Sequence, residues 1–369
     1  MRRPPHRTGA ATEPSKKGGR ALTRTSAGPG PSPHLMHRTH FLTPQRAFLA
    51  CTAALLAGLG LTVSAQGADP TADRTEARRA ALGRELFYAP ILSSDGAVSC
   101  ASCHQQSKAF TDGRSVSLGA FGRGGKRNAP SLVNVAARTR LFWHGGSPSL
   151  ELQALGPLSD PNEHDFTPEQ TVEALRRDPY FVRRFAEVYG AEPNLTRLTS
   201  AIAAFERTIV SYNSPFDRYS AGDAAAMSES AVRGMDLFYG RAECFHCHTG
   251  RNFSDNRPHN NAFLLFNPDL GAAELTGAEE DVGRFITPTL RNVALTAPYM
   301  HAGQLATLEE VIGHYSEGGQ PNPNADPLIR PLNLSAQERA DLLAFLNALT
   351  DETVAANPAW GPPPRTETP

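Results

Sequence analysis

The chain has 369 residues, with 36 Lys and Arg against 37 Asp and Glu, and a formal net charge of −1. Residues 1–65 hold nine of the bases and a single acid, Glu13, which leaves 27 bases against 36 acids in the rest; an acidic body of this kind argues against a nucleic-acid binder, whose footprint is basic. Five cysteines exclude a disulfide scaffold, and 31 Gly with 30 Pro, above a norm of ~12% for the two together, forecast long loops between helices.

Residues 1–35 show no apolar periodicity and read as an extension that does not fold. Met36 is the better start of translation. It opens a basic stretch ending at Arg46, followed by an apolar run over 47–63 and the small residues Val63-Ser64-Ala65. That is a signal peptide over 36–65, cleaved near Ala65. An apolar run of about 17 residues broken by Gly and Thr is short for a membrane span. Cys51 stands at its start, where a lipid-modified Cys does not belong, and is discarded with it. The mature chain is expected to be an exported, soluble protein.

A helix-like run over 74–88 ends in Gly83-Arg-Glu-Leu-Phe-Tyr88 and precedes Cys100-Ala-Ser-Cys103-His104. A second run, 228–239, ends in Gly234-Met-Asp-Leu-Phe-Tyr239 and precedes Cys244-Phe-His-Cys247-His248. C-x-x-C-H is the attachment sequence of c-type haem: two thiols bond the macrocycle and the adjacent His ligates iron. A zinc site or a redox dithiol does not call for His after the second Cys in both copies. The register assigns His248 to the iron and leaves His246 as a spacer. A further block recurs after each motif, as Pro130-Ser-Leu-Val-Asn-Val-Ala136, Phe142-Trp-His-Gly145 and Ser149-Leu-Glu151, then as Pro288-Thr-Leu-Arg-Asn-Val-Ala294, Tyr299-Met-His-Ala-Gly303 and Thr307-Leu-Glu309. The expected fold is mainly α, two duplicated cytochrome c-like domains with one covalent c-type haem each, over 66–222 and 223–355. His144 and His301 recur in both copies and suit hydrogen bonds to backbone or propionates.

Between the motifs, Thr167-Pro-Glu-Gln170 is a capping box with Pro at N1. Leu198, Ile202, Phe205 and Ile209 form one helical stripe. Ser335-Ala-Gln-Glu338 opens a last amphipathic helix. No convincing strand pair is visible, and the Pro-rich residues 356–369 read as a loose tail.

Aligning Ser149-Leu-Glu151 with Thr307-Leu-Glu309 sets Tyr315 opposite Pro157. A phenol can ligate iron and proline cannot. No His, Met or Cys lies between His104 and Trp143, so the first haem is expected to keep an open coordination position, where small-molecule chemistry occurs. For the second haem, His314 and Met300 compete with Tyr315 as ligand.

Over about residues 75–350 the chain resembles the bacterial dihaem cytochrome c peroxidase and MauG family. The matching stretches are Leu86-Phe87, Leu92-Ser-Ser94, Cys100 to His104, Arg127-Asn-Ala-Pro130, Phe142-Trp143-His-Gly145, Gln153-Ala-Leu-Gly-Pro157 and Pro288 to His301. The resemblance implies a catalytic Glu163, with Gln153, Pro157 and Trp143 beside it in the catalytic set and Trp143 between the haems. It implies Tyr315 on the second iron and a calcium ion at Asn128, Thr296 and Pro298. It also implies hydrogen peroxide as substrate and electrons from a small redox protein, a cytochrome c or cupredoxin, and it admits a homodimer. Two departures matter. Typical peroxidases carry a closing His near the position of Ala120. MauG carries an oxidisable Trp where Ala242 stands. A MauG-like oxidase that modifies a partner protein is the first rival reading, and a non-catalytic dihaem electron carrier the second.

Overall fold

In this computed structural model residues 70–263 and 269–364 are described; the N-terminal extension, the Met36 start, the signal peptide and Cys51 lie outside them. In chain order these residues form α1 (Pro70–Phe87), α2 (Cys100–Cys103), α3 (Leu150–Gln153), α4 (Leu155–Ser159), α5 (Pro168–Arg177), α6 (Pro179–Tyr189), α7 (Leu195–Glu206), α8 (Pro215–Ser220), α9 (Glu229–Tyr239), α10 (Ala273–Thr276), α11 (Leu308–Glu317) and α12 (Ala336–Asn347). The architecture is mainly helical. A two-residue antiparallel pair, β1 (Pro258–His259) with β2 (Phe285–Ile286), sets Pro258 opposite Ile286. The sequence shows no strand pair, since two residues carry no period.

The repeat appears as two helix crossings. α1 packs on α7 and α9 on α12. At Gly83 a Cβ would stand 1.8 Å from the Ala201 carbonyl oxygen, and at Gly234 one would stand 1.9 Å from that of Asp341. Each crossing is backbone against backbone, so only glycine fits. Around the crossings lie two aromatic cores. Phe87, Phe110 and Phe205 build the first, and Phe238, Phe253 and Phe345 the second. The stripe Leu198, Ile202, Phe205 and Ile209 is fully buried, with Ile209 just past the end of α7. Thr167 and Ser335 cap their helices as their capping boxes require.

After α7 and α12 the two trailing segments meet. Asn134 N–H donates to the Ile209 carbonyl (2.9 Å) and Asn292 N–H to that of Leu349 (3.0 Å). The side-chain oxygens of Asn134 and Asn292 accept from Ser211 N–H and Asp351 N–H, each at 2.8 Å. Ser211 Oγ donates to Asp351 Oδ2 (3.0 Å), and the four residues are buried. Each segment then runs into the other core. The ring of Phe216 in α8 meets Phe253 and Phe345, while Val354 and Trp360 enter the core of Phe87 and Phe110. The tail expected to be loose from residue 356 is therefore packed as far as 362. Trp360 is 6% exposed, because Arg84 and Gln106 satisfy the carbonyls that a Pro-rich segment leaves outside regular structure.

Candidate active site

Both C-x-x-C-H segments fold as one short helical turn, Cys100–Cys103 as α2 and Cys244–His246 as a 3₁₀ turn. Each histidine leaves its turn with Nδ1 against a backbone carbonyl, His104 to Phe110 (2.9 Å) and His248 to Phe253 (3.0 Å). A ring held at Nδ1 presents Nε2 as its free lone pair, as a metal-ligating imidazole must. Burial lowers the pKa of both rings and keeps them neutral, the ligating form. The four thiols are unpaired, and burial raises all of them, Cys103 and Cys247 to about 11 and Cys244 to about 12.

Cys244, Cys247 and His248 line a cavity of about 280 Å³ together with Tyr315, Met300, His301, Trp143 and Arg138. Arg138 reaches it from the first half of the chain. Burial pulls its guanidinium down to about 10, and Nε has no hydrogen-bond partner. An orphaned cation in an apolar cavity fits an anionic ligand edge, such as a haem propionate. In the first half the orphan is an acid. Glu206 is 5% exposed, its Oε2 has no partner, and burial pushes it up to about 8 next to Cys100. Pinned histidines, two free thiols beside each of them, an orphaned Arg138 on the cavity and an orphaned Glu206 near Cys100 fit covalent haem. The sequence reading missed Arg138 and Glu206, since nothing local distinguishes them from surface charges.

The three competitors around the second site are sorted by Asn261. Its Nδ2 donates to Tyr315 Oη (3.2 Å) and to Met300 Sδ (3.3 Å), so phenol and thioether converge. Its carbonyl is bonded to His314 Nε2 at 2.9 Å, which engages the nitrogen His314 would need. Burial pushes the Tyr315 phenol up to about 12.

In the first half Ser149 caps α3 as Thr307 caps α11. Beyond the cap the copies diverge. α11 runs unbroken through Tyr315, whereas the first copy is interrupted at Ala154 into α3, which ends at Gln153, and α4, which carries Pro157. Proline has no N–H for the Gln153 carbonyl. The Pro157 carbonyl accepts from His164 N–H (3.1 Å) and so holds the turn bearing Glu163. Burial, with the Asp160 charge adding to it, pushes the Glu163 carboxyl up to about 7. Glu163 in turn acts on both attachment thiols, Cys100 and Cys103. Ala120, near the position of the closing His in typical peroxidases, is buried and donates its N–H to the Glu163 carbonyl (2.7 Å).

Trp143 joins the halves. Its Nε1 donates to the Asn128 carbonyl (2.8 Å), its own carbonyl accepts from Ile286 N–H (2.7 Å), and its ring meets Phe285 edge-on. Asn128, Thr296 and Pro298 line the same cavity. They offer neutral oxygens and no carboxylate, and among the described residues no group of three or more His, Cys, Asp or Glu is placed to hold a metal ion. Calcium, which favours carboxylates among six to eight oxygens, gains no support from that set. His144 bonds Arg127 (2.9 Å), and His301 stacks on Phe285 at 3.9 Å, its pKa driven down to about 4 by burial.

Comparison with known proteins agrees with this geometry. Residues 77–225 match the family model described as di-haem cytochrome c peroxidase. The chain is 38% identical to the methylamine utilization protein MauG of Methylorubrum extorquens, over 78% of this chain and 82% of that one. It is also 38% identical to the cytochrome-c peroxidase IdrP1 of Denitromonas iodatirespirans, over 76% and 84%. Among solved structures, a MauG-like protein associated with microbial copper homeostasis superposes with a TM-score of 0.73 at 39% identity, over 78% of this chain and 93% of that one. With its two pinned C-x-x-C-H histidines and this likeness along most of its length, the chain belongs to the dihaem cytochrome c peroxidase and MauG family.

Proposed function

We propose that this chain is an exported dihaem c-type peroxidase that reduces hydrogen peroxide to water with electrons from a small redox protein. Its two haem halves correspond to about 66–222 and 223–355, behind a signal peptide cleaved near Ala65. Cys100, Cys103 and His104 hold the first haem, and Cys244, Cys247, His248 and Tyr315 the second. Bound haem supplies the iron at which the O–O bond is cleaved and the redox capacity to pass electrons. The observation that carries the reading is the inequality of the halves: a buried acid poised at about 7 stands next to the first pair of thiols, and a buried phenol stands next to the second.

The Glu163 carboxylate takes a proton from hydrogen peroxide and returns it to the departing oxygen, so that water leaves. The turn held by Pro157 positions Glu163 for this, with Gln153 on the neighbouring α3. Trp143, tied by hydrogen bonds to Asn128 and Ile286, stands as the electron route between halves. MauG likeness and Tyr315 keep oxidation of a partner protein as the second reading, with Ala242 in place of the oxidisable Trp against it.

Purified holoprotein should contain two covalent haems. In the fully ferric state, with no loop histidine at Ala120, it should react with hydrogen peroxide without prior reduction and oxidise reduced cytochrome c. Peroxide reactivity that appears only after one-electron reduction overturns the open first site, and no turnover with any small redox protein overturns the peroxidase reading.

A further inference from the structure

The His104 loop reaches its carbonyl by an unfavourable path. Ala109 and Phe110 both sit in the left-handed region, at φ +49° and +62°, where a β-carbon crowds the following carbonyl. A strained residue stays in place only if its surroundings hold it. In the second half the matching residue, Phe253 at φ +50°, is enclosed by the rings of Phe216, Phe238 and Phe345. Phe216 sits on α8, whose Asp217 forms a bidentate ion pair with buried Arg291 (2.8 and 2.9 Å). In the first half Phe87 and Phe205 match Phe238 and Phe345. The place of Phe216 is taken by Trp360, edge-on to Phe110 at 6.4 Å.

Trp360 arrives on a segment without regular structure, held by side chains of the first half. Arg84 Nε donates to the Gly361 carbonyl (2.6 Å), and Nη2 to those of Pro358 (2.7 Å) and Pro362 (3.2 Å). Tyr88 Oη donates to the Trp360 carbonyl (2.8 Å). Gln106, inside the His104 loop, donates to the carbonyls of Val354 (3.0 Å) and Asn357 (2.7 Å). The segment therefore grips α1 and the strained loop together.

We propose that residues 354–362 are a positioning strap for the first proximal histidine. Trp360 acts through Phe110 to keep one of the two carbonyls, with that of Pro130, that hold the His104 ring, and because the strap continues from α12 and Asp351, the second half of the chain helps set the ligand geometry of the first. The inference rests on His104 being a haem ligand. It adds that this ligand is held from the far end of the sequence, whereas His248 is held by α8.

The test uses full-length holoprotein. Trp360→Ala should speed amide exchange in residues 105–111 by about tenfold while leaving 249–254 unchanged. It should also alter the electron paramagnetic resonance signal of the first ferric haem and not the second. Trp360→Phe, which restores a ring, should return both readouts. If Trp360→Ala yields no folded holoprotein, Arg84→Gln with Tyr88→Phe loosens the Trp360 end of the same strap and should give the same selective pattern, read alongside exchange in 358–362. Equal acceleration in both loops, or a freed strap with an unchanged first-haem signal, overturns the proposal. Covalent haem content of the unsubstituted protein tests the haem reading separately: one haem or none refutes that, whereas two haems with an unresponsive His104 loop refute only the strap.

Discussion

Replacing Glu163 by Gln keeps the shape of the side chain and removes its titration. Burial, with Asp160 nearby, sets this carboxyl at about 7 against an ordinary 4.5. As a base it must be ionised to accept the peroxide proton, so kcat/KM for hydrogen peroxide should rise about tenfold per pH unit below 7 and level off above it. Glu163→Gln should lower the plateau by ~10²–10⁴, the usual span of acid–base catalysis, and erase the step near 7. Asp160→Asn removes the like charge and should move the step to lower pH with little change in the plateau. Stability has its own sign. The folded pKa lies above the unfolded one, so the native state binds the proton more tightly, and stability is lost as pH rises from 4.5 through 7, by up to about 3 kcal/mol. Thermal unfolding should therefore show Glu163→Gln more stable than the parent at pH 8 and equal to it at pH 4. Stopped-flow peroxide kinetics across pH 5–9 decide the catalytic part. A glutamine variant whose profile runs parallel to the parent's, step included, places the titrating base elsewhere and refutes the reasoning.

Two further outcomes follow from the packing. Tyr315→Phe should not leave the second iron open, because Asn261 holds Met300 Sδ beside the phenol. A thioether should take over, with a methionine–ferric charge-transfer band and a raised potential; an unchanged spectrum and potential would remove Tyr315 from the iron. Gly83→Ala places a Cβ 1.8 Å from the Ala201 carbonyl and must part α1 from α7. A loss of ~1–3 kcal/mol is expected from such overpacking, and an unchanged unfolding midpoint would show that the crossing has slack.

What the sequence made legible is what local chemistry dictates. Cys100, Cys103 and His104 must be adjacent to attach and ligate one group, so spacing alone reveals them, and Thr167 and Ser335 announce their helices because a cap acts within three residues. Pro157 was visible as a missing ligand, since proline has no ligating side chain, but the interruption of the helix at Ala154 was not. Contacts made across the chain were not legible. Asn261 gathers Tyr315 and Met300 and engages His314 from a loop about 50 residues upstream of Tyr315. Arg138 reads as a surface charge until it is seen lining a cavity built by the other half. Trp360 lay in a Pro-rich stretch that read as a loose tail. Its prolines gave no hint of burial, because that depends on Arg84, which bonds the Gly361 carbonyl from 277 positions away.

The two halves preserve one construction and depart from it in two places, the ring that closes each proximal loop (Trp360 or Phe216) and the segment after the Ser149 and Thr307 caps. The glycine crossings at Gly83 and Gly234, the histidines pinned by Phe110 and Phe253, and the clamps of Asn134 and Asn292 recur with nearly the same distances. These features hold the attachment side. The second departure lies in the segment after the Ser149 and Thr307 caps, broken in one copy and continuous in the other, and followed in the broken copy by the turn that carries Glu163. One copy of the helix keeps a buried phenol at Tyr315; the other is interrupted at Ala154, carries Pro157 in α4 and is followed by the buried acid Glu163. Because the attachment side is common to both, the difference in chemistry need not come from the cofactor. On the proposed reading it would follow from the residues after the two caps: an unbroken helix carrying Tyr315 in one copy, and Pro157 with the buried Glu163 in the other.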